Sequence, residues 1–385
     1  MKQRYLSLDV LRGITVTFMC IVNNPGSWGK IFAPLRHAPW VGCTPTDLVY
    51  PFFIFCAGCA MAFSFSKYDG FSKEAVMKVI RRGLGIFLVG FLINLYPFFP
   101  LEPHDASASF WQNYGYWLAN KRIMGVLQRI GLSYLIAGLL ALWLRKPAKI
   151  LGAIGVLMAV YTGILVLFGT DPGPFTLEGT ISRKIDVALL GENHVYHGYR
   201  FADGTRAAFD PEGFLGSLTG ACSCLLGFLI GSMILRSSRR HAADPSAPKD
   251  APSWMVSRIF VYGCISLAAA MIMSIWIPIC KPLWSASYVL YAGGWAMLAL
   301  AFLAFCIDLC GIRKPFVGFE AMGSNALLAF VLSGVIAKSY AFFNFSPSEY
   351  FGANEYTSLA YALLFAAVIF CCLYPLYRKK IYIRL

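Results

Sequence analysis

Five stretches of this chain run for 20 to 26 residues without a charged side chain: Ile150 to Gly169, Gly213 to Leu235, Ile259 to Cys280, Pro282 to Ile307 and Tyr356 to Tyr377. A helix needs roughly 20 apolar residues to cross a ~30 Å hydrocarbon core, so each reads as a membrane span. Five more are shorter or broken by one or two charges: Leu8 to Asn23, Leu48 to Ser66, Gly83 to Leu101, Ile123 to Leu144 and Pro315 to Ala337. The expected fold is an all-α membrane protein, a polytopic bundle of about ten transmembrane helices.

Composition points the same way. The chain is 58% apolar and 14% charged, against about 45–50% and about 25% in soluble domains. A net charge of +14 would suggest nucleic acid if the cations were clustered, but they lie between the apolar runs. Alternate connections hold 21 Lys and Arg on one side and 10 on the other. That excess places both termini in the cytoplasm and leaves the lipid bilayer, not nucleic acid, as the expected partner. Met1 to Arg4 lead into a span bearing Asp9 and Arg12, so no cleavable signal peptide is expected; Asp9 and Arg12 lie one turn apart and read as a pair.

The chain reads as a single transmembrane domain over 1–385. It has an extracytoplasmic loop at 170–212 and a cytoplasmic linker at 236–257, rich in Ala, Pro, Ser and Asp. No repeat relates the two halves, which weakens a transporter reading. Most of the twelve cysteines sit in apolar runs as small hydrophobes, and no metal site is expected. Cys43 and Cys280 fall near the outer face, and the sequence leaves open whether they pair.

Polar chemistry gathers at the outer end of the first two spans, in Asn23, Asn24, His37 and Asp47. Thr44 to Asp47 has the form of a capping box with Pro45 at the first helical position, so the second span should begin there. Asp47 thus reads as a cap or as a partner for His37, the side chain suited to base or nucleophile work near neutral pH. Within the spans, Gln128 and Arg129 lie near an outer end, Arg129 about 9 Å in, and Asn325 falls about 15 Å from the inner end, near the midplane. Asp210, Pro211 and Glu212 open the sixth span, where they also read as an N-cap.

Several motifs, SLDVLRGITV, RHAPWVGCTPTDLVYPFFIF, RIMGVLQRIGLSY, FDPEGFLGSLTG, KPLWSASYVL and the tail YRKKIYI, stand in an order that resembles the membrane acetyltransferases related to lysosomal heparan-α-glucosaminide N-acetyltransferase, bacterial members included. The resemblance implies transfer of acetyl from cytoplasmic acetyl-CoA to the amino group of an extracytoplasmic glucosamine-type sugar. His37 matches the family's catalytic histidine and Asn23 the asparagine before it; Asp47, Gln128, Arg129, Asp210, Glu212 and Asn325 match other motif positions. One departure is the Asn23 to His37 connection, about three residues longer and containing NPGSWG, which puts acceptor identity in doubt.

On this reading His37, Asn23 and Asp47 are catalytic, with His37 a general base or an acetyl carrier. Lys78, Arg81 and Arg82 would hold nucleotide phosphates from the inner face, with Gln128, Arg129 and Asn325 along the donor and the thioester near Asn325 and His37. Trp40, Asp210 and Glu212 are expected on the acceptor side, where His194, Tyr196, His197 and Tyr199 offer stacking surfaces. The expected location is a bacterial inner membrane with a periplasmic acceptor side, and a homodimer is compatible with it. The alternatives are a transporter or flippase for a sugar or lipid-linked glycan, and an O-acetyltransferase acting on an envelope polysaccharide.

Overall fold

The computed structural model describes residues 5–68, 70–246 and 251–383. Its helices are α1 (Leu6–Asn23), α2 (Pro45–Phe65), α3 (Lys73–Leu95), α4 (Phe110–Ala119), α5 (Val126–Leu144), α6 (Pro147–Phe168), α7 (Ile181–Leu190), α8 (Ser217–Ala243), α9 (Pro252–Met273), α10 (Ala286–Leu303, continued by a π turn to Leu309), α11 (Val317–Ser324), α12 (Ala326–Ser339), α13 (Pro347–Phe351) and α14 (Glu355–Arg378). The sheet consists of a two-stranded hairpin, β1 (Tyr199–Arg200) and β2 (Arg206–Ala207), with Tyr199 opposite Ala207.

Nine helices among the described residues are long and apolar enough to cross a membrane: α1, α2, α5, α6, α8, α9, α10, α12 with its 3-10 extension, and α14. The expected count of about ten is reduced by α3. That helix has 23 residues, but Lys78, Arg81 and Arg82 occupy its first half, leaving an apolar stretch of only about 20 Å at ~1.5 Å per residue. It also stops at Leu95, before Pro97, so the expected span does not extend to Leu101. The expected span from Pro315 to Ala337 is broken: α11 ends at Ser324 and α12 starts at Ala326, with Asn325 at φ −129° and ψ 41° between them. Of the linker expected over 236–257, residues 236–243 continue α8 and α9 begins at Pro252; residues 247–250 lie outside the described residues.

Two close helix contacts set the frame. A Cβ at Gly58 would lie 1.9 Å from the Cys224 carbonyl oxygen, and one at Gly227 would lie 2.0 Å from that of Phe55, so α2 and α8 meet backbone to backbone. Small residues allow such an approach where lipid supplies no hydrophobic drive between helices. Cys56 and Cys59 are buried beside this seam, in a core with Ile230 and Leu300. A Cβ at Gly323 would likewise fall 1.9 Å from the Asp9 carbonyl oxygen, which seats α11 on the first turns of α1. Asp9 pairs with Arg12 at 3.2 Å there, as the spacing predicts.

Asn325 donates from Nδ2 to the Ile381 carbonyl at 3.0 Å and accepts at Oδ1 from the Ile383 amide at 2.8 Å. The tail is thereby tied to the side of the bundle where α1 begins, called here the terminal end. Asn325 is therefore held by the tail at the break between α11 and α12. The other end, where α1 finishes and α2 starts, carries His37.

Gly227→Val should separate α2 from α8. The expected result is a Tm lower by several degrees in detergent, since overpacking costs about 1–3 kcal/mol or more; Gly152→Val, where nothing lies within 4 Å, should leave Tm unchanged. Equal effects of the two would contradict the backbone contact.

Candidate active site at the His37 end

The connection from α1 to α2 has little regular structure beyond a 3-10 turn at Ala33–Leu35, so side chains and neighbouring loops must hold it. The Gly26 amide donates to the Ser358 carbonyl at 3.2 Å, and the Gly42 amide to that of Ile279 at 2.8 Å. Gly42 has φ +108°, a conformation that favours glycine. The Thr44 hydroxyl lies 2.7 Å from the Arg36 carbonyl oxygen.

Asp47 closes this loop onto the helix. It is 1% exposed, and its Oδ2 accepts from the Ala38 and Thr44 amides, both at 3.0 Å. Its Oδ1 lies 2.7 Å from His37 Nδ1 and 3.1 Å from Lys281 Nζ. Asp47 is therefore both cap and partner. Pro51 adds another tie. Having no N–H, it cannot satisfy the Asp47 carbonyl one turn back, and the Tyr288 hydroxyl donates to that carbonyl instead at 2.6 Å.

The imidazole's protonation follows from its neighbours. A carboxylate only accepts, so the 2.7 Å contact needs a proton on Nδ1, and in the neutral ring the lone pair is then on Nε2. Lys281 Nζ is 3.0 Å from the same Nδ1 but, being only a donor, gives its hydrogen to Asp47. The His37 side chain remains 45% exposed while Asp47 is buried. The result is an imidazole held at Nδ1 and open to solvent, with a cation beside it.

Segment 170–212 packs against this loop. Trp40 Nε1 donates to the Phe175 carbonyl at 2.7 Å, and its ring lies 5.2 Å from Phe209 and 5.7 Å from Tyr199. Trp40, expected on the acceptor side, thus takes part in docking the loop. Arg122 clamps the base of the segment: its guanidinium bonds Asp210 at 2.6 and 2.8 Å and also Glu212, beneath the Tyr196 ring at 4.9 Å. Burial raises Glu212, but Arg122, with Arg129 and Lys281, outweighs it and holds that carboxyl below its usual range. Asp210 and Glu212 are accordingly engaged within the protein.

Below the loop, Arg129 is 1% exposed. It donates to the Gly213 carbonyl at 3.1 Å and lies 5.3 Å over the Trp284 ring. Its Nε and Nη1 find no hydrogen-bond partner among the described residues, so it retains donors for a carbonyl or anionic group. Gln128 instead donates to the Ile123 carbonyl at 2.9 Å and packs against Gly90 of α3.

Other expected site residues stand apart. Asn23 ends α1 at the same end of the bundle but is exposed, and no described hydrogen bond joins it to His37. Asn325 lies toward the terminal end with its amide committed to the tail, so it does not meet His37. Lys78 lies 5.4 Å over Tyr68 and Arg82 5.1 Å over Tyr134, while Arg81 is exposed; all three sit at the terminal end. Cys43 and Cys280 are free thiols, and burial pushes each up to about 12.

Sequence reasoning missed Lys281, Arg122, Tyr288 and Asp186. Lys281 carried the clearest signal, as the lone cation of its short connection and the first residue of KPLWSASYVL.

A family model described as heparan-alpha-glucosaminide N-acetyltransferase, catalytic, matches residues 4–177. The chain is 28% identical over 429 aligned positions to the human heparan-alpha-glucosaminide N-acetyltransferase, covering 98% of this chain and 59% of that protein. It is 26% identical over 428 positions to the mouse protein of the same name, covering 98% and 60%. The chain thus spans about three-fifths of the length of these curated relatives and is similar, at family level, to a membrane acetyltransferase. The matched segment includes Asn23, His37, Trp40, Asp47, Gln128 and Arg129, and it stops short of Asp210, Lys281 and Asn325.

Tyr288→Phe should cost about 1–3 kcal/mol by orphaning the Asp47 carbonyl, and should cost less when Pro51→Ala supplies the missing N–H. Denaturant or thermal unfolding of the four proteins tests this; additive effects would contradict it. Asp186 gives a second test. Burial pushes its carboxyl up to about 7 against one bond from the Phe214 amide. The folded chain then holds a proton, between about pH 4 and 7, that the unfolded chain releases. That contribution to stability is complete below the ordinary carboxylate pKa and is lost as pH rises through about 7. Asp186→Asn should make Tm fall less steeply than in the native protein between pH 5 and 8; an unchanged slope would contradict the assignment.

Proposed function

We propose that this protein is a membrane acetyltransferase that passes acetyl from acetyl-CoA to the amino group of a glucosamine-type sugar, with His37 as the acid–base residue. The observation that carries the reading is the exposed imidazole whose Nδ1 proton is fixed by buried Asp47, with Lys281 3.0 Å away. An Nε2 lone pair held in this way suits proton transfer from an attacking amine. The family-level similarity supplies the donor. Lys78, Arg81 and Arg82, none in an ion pair among the described residues, suit the phosphates of a nucleotide thioester at the terminal end.

Acetyl-CoA brings a thioester whose carbonyl carbon accepts the amine while the C–S bond breaks. His37 takes the proton from the attacking nitrogen and returns it to the departing sulfur. Asp47 keeps the imidazole in the tautomer that can do this and stabilises the imidazolium formed in between. Lys281 provides positive charge beside the site as negative charge develops on the carbonyl oxygen. The distribution of cations supports an extracytoplasmic acceptor side, and a bacterial inner membrane is the location proposed with it. Direct transfer in a ternary complex is preferred over an acetyl-imidazole carrier, because His37 Nε2 then needs only to move a proton.

The broken span at Asn325 is a feature shared with transporters. Here, however, the amide at the break is bonded to the tail backbone on both sides, which favours the enzyme.

Release of CoA thiol from acetyl-CoA by the purified protein in detergent tests the proposal. Glucosamine should stimulate release, and His37→Ala should reduce it by at least about 100-fold. Asp47→Asn should also lower kcat strongly, with little change in KM. Exchange of labelled CoA into acetyl-CoA without acceptor would overturn the ternary route in favour of a carrier. Stimulation by hydroxyl sugars alone would make the enzyme an O-acetyltransferase. No turnover, together with glucosamine flux into proteoliposomes, would point to the transporter.

A further inference from the structure

A groove of about 600 Å³ lies away from His37, between α6, α8 and α9. Its walls are mainly aliphatic, with Leu151 on α6, Leu226 and Met233 on α8, and Ile265 and Ala269 on α9, and with hydroxyls from Ser232, Ser237, Tyr262 and Ser266. The helices α6 and α9 are the spans that flank it, and both are mostly exposed along their lengths, as lipid-facing helices are. At the terminal end the groove meets three arginines: Arg236 and Arg240 near the end of α8, and Arg258 near the start of α9.

We infer that this groove holds one anionic glycerophospholipid, its phosphate on the three arginines and an acyl chain along the aliphatic walls. Length is the first argument. From Arg236 to Leu226 is about 15 Å along α8, and from Arg258 to Ala269 about 16 Å along α9, at ~1.5 Å per residue. One leaflet of a ~30 Å hydrocarbon core has that depth, so the arginines stand at headgroup level.

Charge is the second argument. Arg236 and Arg240 are four residues apart on one helix face, where like charges repel. None of the three arginines is in an ion pair among the described residues, and no acidic residue lines the groove. A phosphate accepts several guanidinium bonds at once and removes that repulsion.

Polarity then separates a lipid from a nucleotide thioester, which also joins phosphate to an elongated arm. A pantetheine arm carries amides that need partners. In the deep part of the groove the Ser266 hydroxyl gives its hydrogen to the Leu290 carbonyl at 2.7 Å, and the side chains around it, Ile265, Ala269, Leu226, Leu290 and Met297, carry no polar group. A hydrocarbon chain has no such requirement.

The test uses the full-length protein reconstituted in nanodiscs of equal phosphatidylglycerol and phosphatidylcholine, extracted in mild detergent and examined by native mass spectrometry. One phosphatidylglycerol per chain should survive extraction. The combined variant Arg236→Gln, Arg240→Gln, Arg258→Gln should lose retention at least tenfold. Ile265→Trp, which fills the groove with the arginines intact, should also lose it. The melting temperature of each variant checks that it is folded. Equal retention of both lipids, undiminished retention in the combined variant, or displacement of the lipid by millimolar coenzyme A would each overturn the inference.

Discussion

The carboxylate of Asp47 holds the His37 end together. Buried at the first turn of α2, it accepts from the backbone of the preceding loop through one oxygen and from His37 and Lys281 through the other. Leaving such a charge without partners would cost several kcal/mol. The loop, the imidazole and the lysine are therefore bound to one geometry. Pro51 and Tyr288 complete the arrangement, because the proline frees the Asp47 carbonyl and the tyrosine takes it.

The same need to satisfy polar groups shapes the rest of the molecule. Backbone within the hydrocarbon must bond within its own helix or be covered by protein. Beside the break between α11 and α12 the Asn325 side chain takes up one carbonyl and one amide of the tail. Arg122 binds Asp210 and Glu212, so segment 170–212 folds down onto the His37 loop. Arg129 is the exception, a buried cation with two nitrogens lacking a hydrogen-bond partner, and it sits under the loop that the proposed chemistry uses.

The spans were readable because long apolar runs have few alternatives in water or lipid. The start of α2 was readable too, since Thr44, Pro45 and Asp47 form a local signal. Long-range partners were less accessible. Lys281 is 244 positions from His37, and the sequence offers no rule that pairs them. Asn325 lies at a helix break that a residue count along a continuous span does not reveal, and its tail partners are 56 and 58 positions away. The packing of Trp40 against Phe209 and Tyr199 is likewise a long-range pairing that the sequence does not announce. About ten spans are expected and nine candidates stand among the described residues, because α3 places its cations inside the helix where the sequence pattern assigns them to a flanking loop.

The most direct measurement is an electron cryomicroscopy structure of the protein with a non-transferable thioether analogue of acetyl-CoA. The account predicts the analogue's carbonyl carbon near His37, with room for an amine between it and Nε2, within about 3–3.5 Å of each partner, and the nucleotide toward Lys78, Arg81 and Arg82. An analogue bound elsewhere, with its carbonyl remote from His37, would contradict it.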